Sequence, residues 1–336
     1  MHFNTLITVV DSHTEGMPTR IVTSGFGSIP GATMKEKQHY IQEHVDSLRS
    51  LLMCEPRGHQ VMNGAILLPP CEQGADLGVV FIDVDGYLDM CGHGTIGTCT
   101  VAIETGLIAP VEPLTRIVLD TPAGRVTAEA TVQNGRVKKV KLQNVPSFLY
   151  QKDLQVQVPE LGTLSLDIAY GGNFYAILPA ASVDLTLDKQ HTQALLAIGM
   201  RIMRAIRAQF PMRHPLSSED TTIKHVMFTG PAGRVEATAK NAVVIAPGVF
   251  DRSPCGTGTS ARMAQLFARQ QLALQQDFVH ESITGSLFTG RLIEQVRLTP
   301  EMMAVIPTIE GRAWITGFQN LVLDPEDPFP AGFILE

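Results

Sequence analysis

The stretch DMCGHGTIGTC, residues 89–99, decides how this chain is read. Gly92, Gly94 and Gly97 satisfy G-x-G-x-x-G, the pattern of a strand-to-helix turn that holds a dinucleotide pyrophosphate. Yet Cys91 stands directly before the first glycine. The loop is built either to cradle a phosphate or to present a thiol. A second stretch, DRSPCGTGTSA at residues 251–261, poses the same choice, with Gly256, Gly258 and Ala261 behind Cys255.

A dinucleotide turn follows directly on an apolar strand. Here the approaches are Gly86-Tyr87-Leu88-Asp89-Met90 and Asp251-Arg252-Ser253-Pro254. Pro254 has no N–H to give where a strand should end. Asp277 stands about 20 residues past Gly258, near the place of a ribose-binding acid. Neither loop has the lysine of G-x-x-x-x-G-K-[ST]. A nicotinamide-dependent oxidoreductase is therefore the weaker reading. The thiol reading uses more of the residues. The first turn of a helix carries unshared N–H groups and a partial positive charge, which favour a thiolate and lower a cysteine pKa from about 8.5 toward 7. The glycines let a ligand approach the backbone, and the same N–H groups can hold a carboxylate.

Working outward, the chain has 336 residues, enough for about two domains. Hydrophobic residues make up 44% and charged ones 18%, a globular balance, and the formal charge is −7. That balance, with no run of Lys or Arg, argues against nucleic acid and anionic membrane as partners. No apolar run reaches the ~20 residues of a membrane span. The opening MHFNTLITVVDSHTEG lacks the basic and apolar regions of a signal peptide, so a cytoplasmic location is expected. The five cysteines, Cys54, Cys71, Cys91, Cys99 and Cys255, form no C-x-x-C. Neither a disulfide framework nor a metal site is expected. Cys54, Cys71 and Cys99 read as packed apolar groups.

Thr33 and Glu36 form a capping box, and Ile41, Val45, Leu48 and Leu52 continue at helical spacing. Residues 79–84, VVFIDV, read as a strand. A helix should follow Cys91, with Ile96, Cys99, Ile103 and Leu107 on one stripe, ending near Gly106 and Pro110. Strands separated by Pro122-Ala123-Gly124 and Asn134-Gly135 follow to about Val145. The second half repeats this order: a helix over residues 192–210, a buried strand at residues 242–246, a helix after Cys255, then strands. Aligning the loops matches Cys91 with Cys255, Gly92 with Gly256, Gly94 with Gly258 and Thr95 with Thr259. Downstream, Asp120-Thr121-Pro122-Ala123-Gly124 pairs with Glu281-Ser282-Ile283-Thr284-Gly285 at nearly the same offset, close to half the chain. Two similar halves result, each placing a cysteine at a helix start. Two opposed thiols suit inversion of a carbon centre: one takes a proton from one face, the other gives a proton to the opposite face.

At this point MCGHGTIG and DRSPCGTGTSAR resemble the two signatures of the proline racemase family. The likeness extends over residues 11–20 (DSHTEGMPTR), 55–59 (EPRGH), 120–124 (DTPAG), 170–176 (YGGNFYA) and 280–288 (HESITGSLF). Within that family the chain is most similar to bacterial 4-hydroxyproline epimerases. The resemblance implies an α+β fold of the diaminopimelate-epimerase type. It has two similar domains, each with strands wrapped around a central helix, and the active site in the cleft between them. Residues 1–149 with 323–336 would form the first domain and 150–322 the second. It implies cofactor-free chemistry with Cys91 and Cys255 as the acid/base pair. Gly92, His93, Gly256 and Thr257 would hold the carboxylate of a small-molecule substrate, and Asp251 its ring ammonium. His225 would meet the hydroxyl. It implies a homodimer. The expected reaction converts trans-4-hydroxy-L-proline to cis-4-hydroxy-D-proline. Proline racemisation and 3-hydroxyproline dehydration are the alternatives, the last disfavoured because both cysteines are present.

Overall fold

The computed structural model describes residues 5–217 and 220–335. The chain divides into two compact units, Met1–Leu142 with Gly311–Glu336, and Gln143–Glu310. The expected divisions stood at 149/150 and 322/323. The returning segment starts earlier because the strand Ala313–Leu323 pairs along its whole length, antiparallel, with Thr5–Thr14. Residues 1–4, 218, 219 and 336 of the expected domains lie outside the described residues.

In the first unit Thr5–Thr14 turns back antiparallel onto Met17–Ser24. Met17–Ser24 lies parallel to Asn63–Leu68, which pairs antiparallel with Leu77–Asp83, which in turn lies parallel to Leu114–Thr121. Hairpins add Gly124–Gln133 and Arg136–Gln143. In the second unit Gly162–Tyr170 turns back antiparallel onto Phe174–Pro179. Phe174–Pro179 lies parallel to His225–Gly230, which pairs antiparallel with Ala239–Ile245, which lies parallel to Asp277–Glu281. Hairpins add Leu287–Thr299 and Met302–Gly311. The same sequence of pairings occurs twice.

The helices are α1 (Met34–His44), α2 (Asp46–Met53), α3 (Gly92–Glu104), α4 (Thr192–Gln209) and α5 (Gly256–Ala268). α3 is the central helix of its unit: every residue from Gly92 to Ile103 is buried. Its small side chains permit this. A Cβ on Gly97 would stand 3.3 Å from Ser12 Oγ and Thr14 Oγ1, and one on Gly94 3.0 Å from the Phe81 ring. The strand Leu77–Asp83 is buried on both faces. Phe81 meets α3, while Val80 and Ile82 join a core with Met34, Ile41, Leu51 and Leu52 of α1 and α2. The unbroken apolar run follows from that double burial. In the second unit Val243 packs with Cys255 and Ala261, and Ala242 and Val244 pack with Leu195, Ile202 and Ile206 of α4.

Local signals explain most boundaries. Thr33 caps α1, its Oγ1 accepting from Glu36 N at 3.1 Å. Asn134 and Gly135 both take positive φ, 53° and 68°, as a two-residue hairpin turn requires. Gly106 at φ 78° ends the α3 segment, which leaves Leu107 exposed and off the expected stripe. The single helix expected over Ile41 to Leu52 is two. Val45, at φ −136°, ends α1, and Asp46 starts α2 with a two-pronged ion pair to Arg49 at 2.6 and 3.0 Å.

The duplication extends to the hydrogen bonds of two buried carboxylate residues. Asp120 Oδ2 accepts from the N–H groups of Cys71 and Glu72 at 2.7 and 2.8 Å. Glu281 Oε2 accepts from those of Gly233 and Arg234 at 2.7 and 2.9 Å. Each carboxylate ties a loop to the strand after the central helix. We predict that Asp120→Ala and Glu281→Ala each lower stability by roughly 3 kcal/mol, since two charge-assisted bonds are lost in each. Thermal unfolding checks this; an unchanged midpoint in either variant would contradict the role.

Candidate active site

Cys91 precedes α3 in extended conformation, φ −141°. Its sulfur accepts from Gly94 N at 3.4 Å and lies 3.6 Å from both ring nitrogens of His93. The His93 carbonyl accepts from Thr14 Oγ1 at 2.9 Å, which fixes the helix start to the strand Thr5–Thr14. Gly92 and His93 are the first residues of α3, so their N–H groups lie at its positive end. Cys91, Gly92 and His93 are all buried.

Cys255 precedes α5 with φ 65°, a left-handed conformation that a side chain rarely takes. The surroundings hold it there. The Pro254 carbonyl accepts from Asn241 Nδ2 at 2.7 Å and Thr259 Oγ1 at 3.1 Å. His280 Nδ1 contacts both of those groups, at 3.0 and 2.9 Å. Burial pushes the His280 pKa down to about 3, so its ring is neutral. The Cys255 N–H donates to Ser253 Oγ at 3.1 Å. Asp251 Oδ1 accepts from Ser253 N and Oγ, both at 2.8 Å, which fixes the carboxylate beside the thiol.

Three more side chains meet this loop. Tyr175 Oη lies 3.3 Å from Cys255 Sγ and 2.6 Å from Thr257 Oγ1. Asn173 Nδ2 donates to Thr257 Oγ1 at 3.4 Å. The His225 ring packs on Tyr175, centroids 4.7 Å apart. Desolvation lowers the His225 pKa to about 4, against a hydrogen bond to the Phe174 backbone. Its Nδ1 has no partner among the described residues. Tyr175 and Asn173 lie within YGGNFYA, residues 170–176, where the sequence alone gives neither a role. An aromatic in a strand reads as core, and nothing in the spacing shows its hydroxyl turning to a cysteine.

The sequence leads one to expect a lowered pKa at both helix-start thiols. At Cys255 the reverse holds. Burial first, then the Asp251 carboxylate, push its pKa well above the usual thiol range, while Tyr175 and the Gly258 N–H work the other way. Cys99, inside α3, is pushed up to about 12 by burial, as fits a packed residue.

Two duplicated units, each presenting a glycine-flanked thiol at the start of a helix, belong to an amino-acid epimerase/racemase. The family model described as proline racemase matches residues 9–334, and the chain belongs to that family. It is 54% identical to a 4-hydroxyproline 2-epimerase of Streptosporangium roseum over 97% of each chain. It is 44% identical to a proline racemase of Clostridioides difficile over the full length of both. A solved hydroxyproline epimerase of Agrobacterium vitis with bound trans-4-hydroxy-L-proline superposes with TM-score 0.92 at 32% identity, covering 100% of this chain and 96% of that one. The fold is the diaminopimelate-epimerase type. Among the described residues no helix is long and apolar enough to cross a membrane.

The raised pKa keeps Cys255 protonated at neutral pH, so iodoacetamide should modify it slowly until the pH exceeds the ordinary thiol range. Asp251→Asn removes a carboxylate that opposes the thiolate. We predict a downward shift of the alkylation profile and roughly tenfold faster Cys255 labelling at pH 8, read by mass spectrometry of the Cys255 peptide. An unmoved profile would show that the carboxylate does not act on the sulfur.

Proposed function

We propose that the protein inverts 4-hydroxyproline at Cα, interconverting trans-4-hydroxy-L-proline and cis-4-hydroxy-D-proline without a cofactor. The observation that carries this reading is the duplicated loop: two cysteines, each leading a buried central helix, in a chain that shares over half its residues with a 4-hydroxyproline 2-epimerase. Cys91 and Cys255 act on opposite faces of Cα. One thiolate takes the Cα proton and becomes a thiol. The other thiol gives its proton to the far face and becomes a thiolate. The reverse reaction exchanges these roles. The N–H groups of Gly92, His93, Gly256 and Thr257 receive the substrate carboxylate, where fixed donors stabilise charge that develops as the proton leaves. Asp251, its Oδ1 pinned by Ser253, accepts from the ring ammonium.

The hydroxyl goes to His225. A neutral buried imidazole with an unpartnered Nδ1 suits a neutral hydroxyl and leaves about 1–3 kcal/mol to be recovered when that atom is satisfied. Proline racemisation is the second reading, supported by the 44% identical relative; it would use the same residues except His225.

Cys91→Ser and Cys255→Ser are each predicted to slow epimerisation roughly 10²- to 10⁴-fold, measured by chiral chromatography of the two epimers. A variant with full activity would remove that cysteine from the scheme. His225→Phe should lower kcat/KM on 4-hydroxyproline by roughly 10- to 100-fold, the scale of one lost hydrogen bond to a substrate hydroxyl, while leaving turnover of proline within a few-fold. Equal losses on both substrates would place the hydroxyl elsewhere.

A further inference from the structure

Within its unit, the Cys255 sulfur sits in a mostly apolar shell. Ala169, Ile177, Met227, Val243 and Ala261 supply carbon atoms from four strands and α5. The titratable groups facing it are Asp251 from its own loop and Tyr175 from the strand Phe174–Pro179. His225, on the strand His225–Gly230, packs against the Tyr175 ring at a tilt and is neutral. The phenol is buried, and its own pKa is raised well above the ordinary value, first by that burial and then by Cys255. Tyr175 therefore stays protonated. It is a hydrogen-bonding group and not a base.

Counting protons along the hydroxyl contacts leaves two arrangements. Asn173 Nδ2 can only donate, so Thr257 Oγ1 accepts from it at 3.4 Å. The Thr257 and Tyr175 hydroxyls share one close contact of 2.6 Å, and either can be the donor. If Thr257 donates, the Tyr175 proton points to the sulfur 3.3 Å away, which suits a thiolate. If Tyr175 donates to Thr257, the phenol oxygen is left to accept from the sulfur, which suits a thiol. Only hydroxyl rotation separates the two states; no proton changes owner within the chain.

We propose that Tyr175 is a positioning residue whose hydroxyl, turning together with that of Thr257, serves Cys255 as a donor when the sulfur is a thiolate and as an acceptor when it is a thiol. This rests on the reading that Cys255 exchanges a proton with the substrate. A residue that must be acid in one direction and base in the other needs both forms supported in a site that otherwise disfavours the charged one. Burial and Asp251 oppose the thiolate, and the Tyr175 bond counters them. The loop geometry admits the contact. Gly171 and Gly172 lie so close to Thr257 that a Cβ on Gly171 would stand 2.2 Å from its carbonyl oxygen.

The test reads the sulfur without turnover. The pH profile of Cys255 alkylation by iodoacetamide is measured peptide by peptide in the wild-type protein and in Tyr175→Phe. That variant keeps the ring on His225 and removes only the hydroxyl. The expected result is about a tenfold loss of Cys255 labelling at pH 8, a rise of about one unit in its midpoint, with Cys91 labelling unmoved. Incorporating 3-fluorotyrosine at position 175 makes the phenol a stronger donor at nearly the same size and should move the midpoint down. A structural role alone would not move it in opposite directions. An unchanged midpoint in folded Tyr175→Phe, or an unchanged or raised midpoint with 3-fluorotyrosine, overturns the proposal; the second arm decides it if the first variant does not fold. Failure of the reading that Cys255 exchanges a proton shows separately, as full turnover in Cys255→Ser.

Discussion

Because α3 is buried from Gly92 to Ile103, glycine stands in its first turns wherever a neighbouring strand comes closest, and this close approach governs what the loop in front of it can do. The Phe81 ring would lie 3.0 Å from a Cβ at Gly94, and three side chains of the Thr5–Thr14 and Met17–Ser24 strands crowd Gly97. A helix packed that tightly has its N-terminal N–H groups fixed in direction, and the residue before it is buried with them. Cysteine at that place becomes a small, polarizable group held at the positive end of a helix. The second unit repeats the solution with α5, whose residues Gly256 to Ala261 are likewise buried.

The two loops share a motif and differ in execution. Cys91 is extended and its sulfur receives the Gly94 N–H. Cys255 takes a positive φ, and its sulfur meets a phenol and stands beside a carboxylate. Unusual backbone angles persist where the surroundings over-determine them, and here Asn241, Thr259 and Ser253 all hold the segment. The thiols are thus unequal in environment, although a two-base exchange needs each to serve in both forms. Polar contacts on the Cys255 side, Tyr175 above all, narrow that inequality.

Features set by short-range chemistry were legible in the sequence. The Thr33 cap, the Asn134-Gly135 turn and both central helices follow from local rules, and the pairing of Asp120 with Glu281 was visible in a five-residue alignment. Features set by packing were not. Val45 breaks a run whose spacing reads as one helix. The return of the chain at Gly311 depends on pairing with a strand some 300 residues earlier, which periodicity cannot reveal. The ionisation of Cys255 is illegible for the same reason: a helix start predicts a thiolate, whereas burial and a neighbouring carboxylate are tertiary facts. The role of Tyr175 is equally hidden, because a strand aromatic carries no sequence mark of where its hydroxyl points.

The central claim, that separate groups take and give the proton, is tested most directly by following label at Cα during the first fraction of a turnover in D₂O. Two unlike donors predict product carrying solvent deuterium while recovered substrate keeps its protium, in both directions. Product that retains the original proton, or deuterium entering substrate and product alike from the start, would mean a single base serves both faces and would contradict the account.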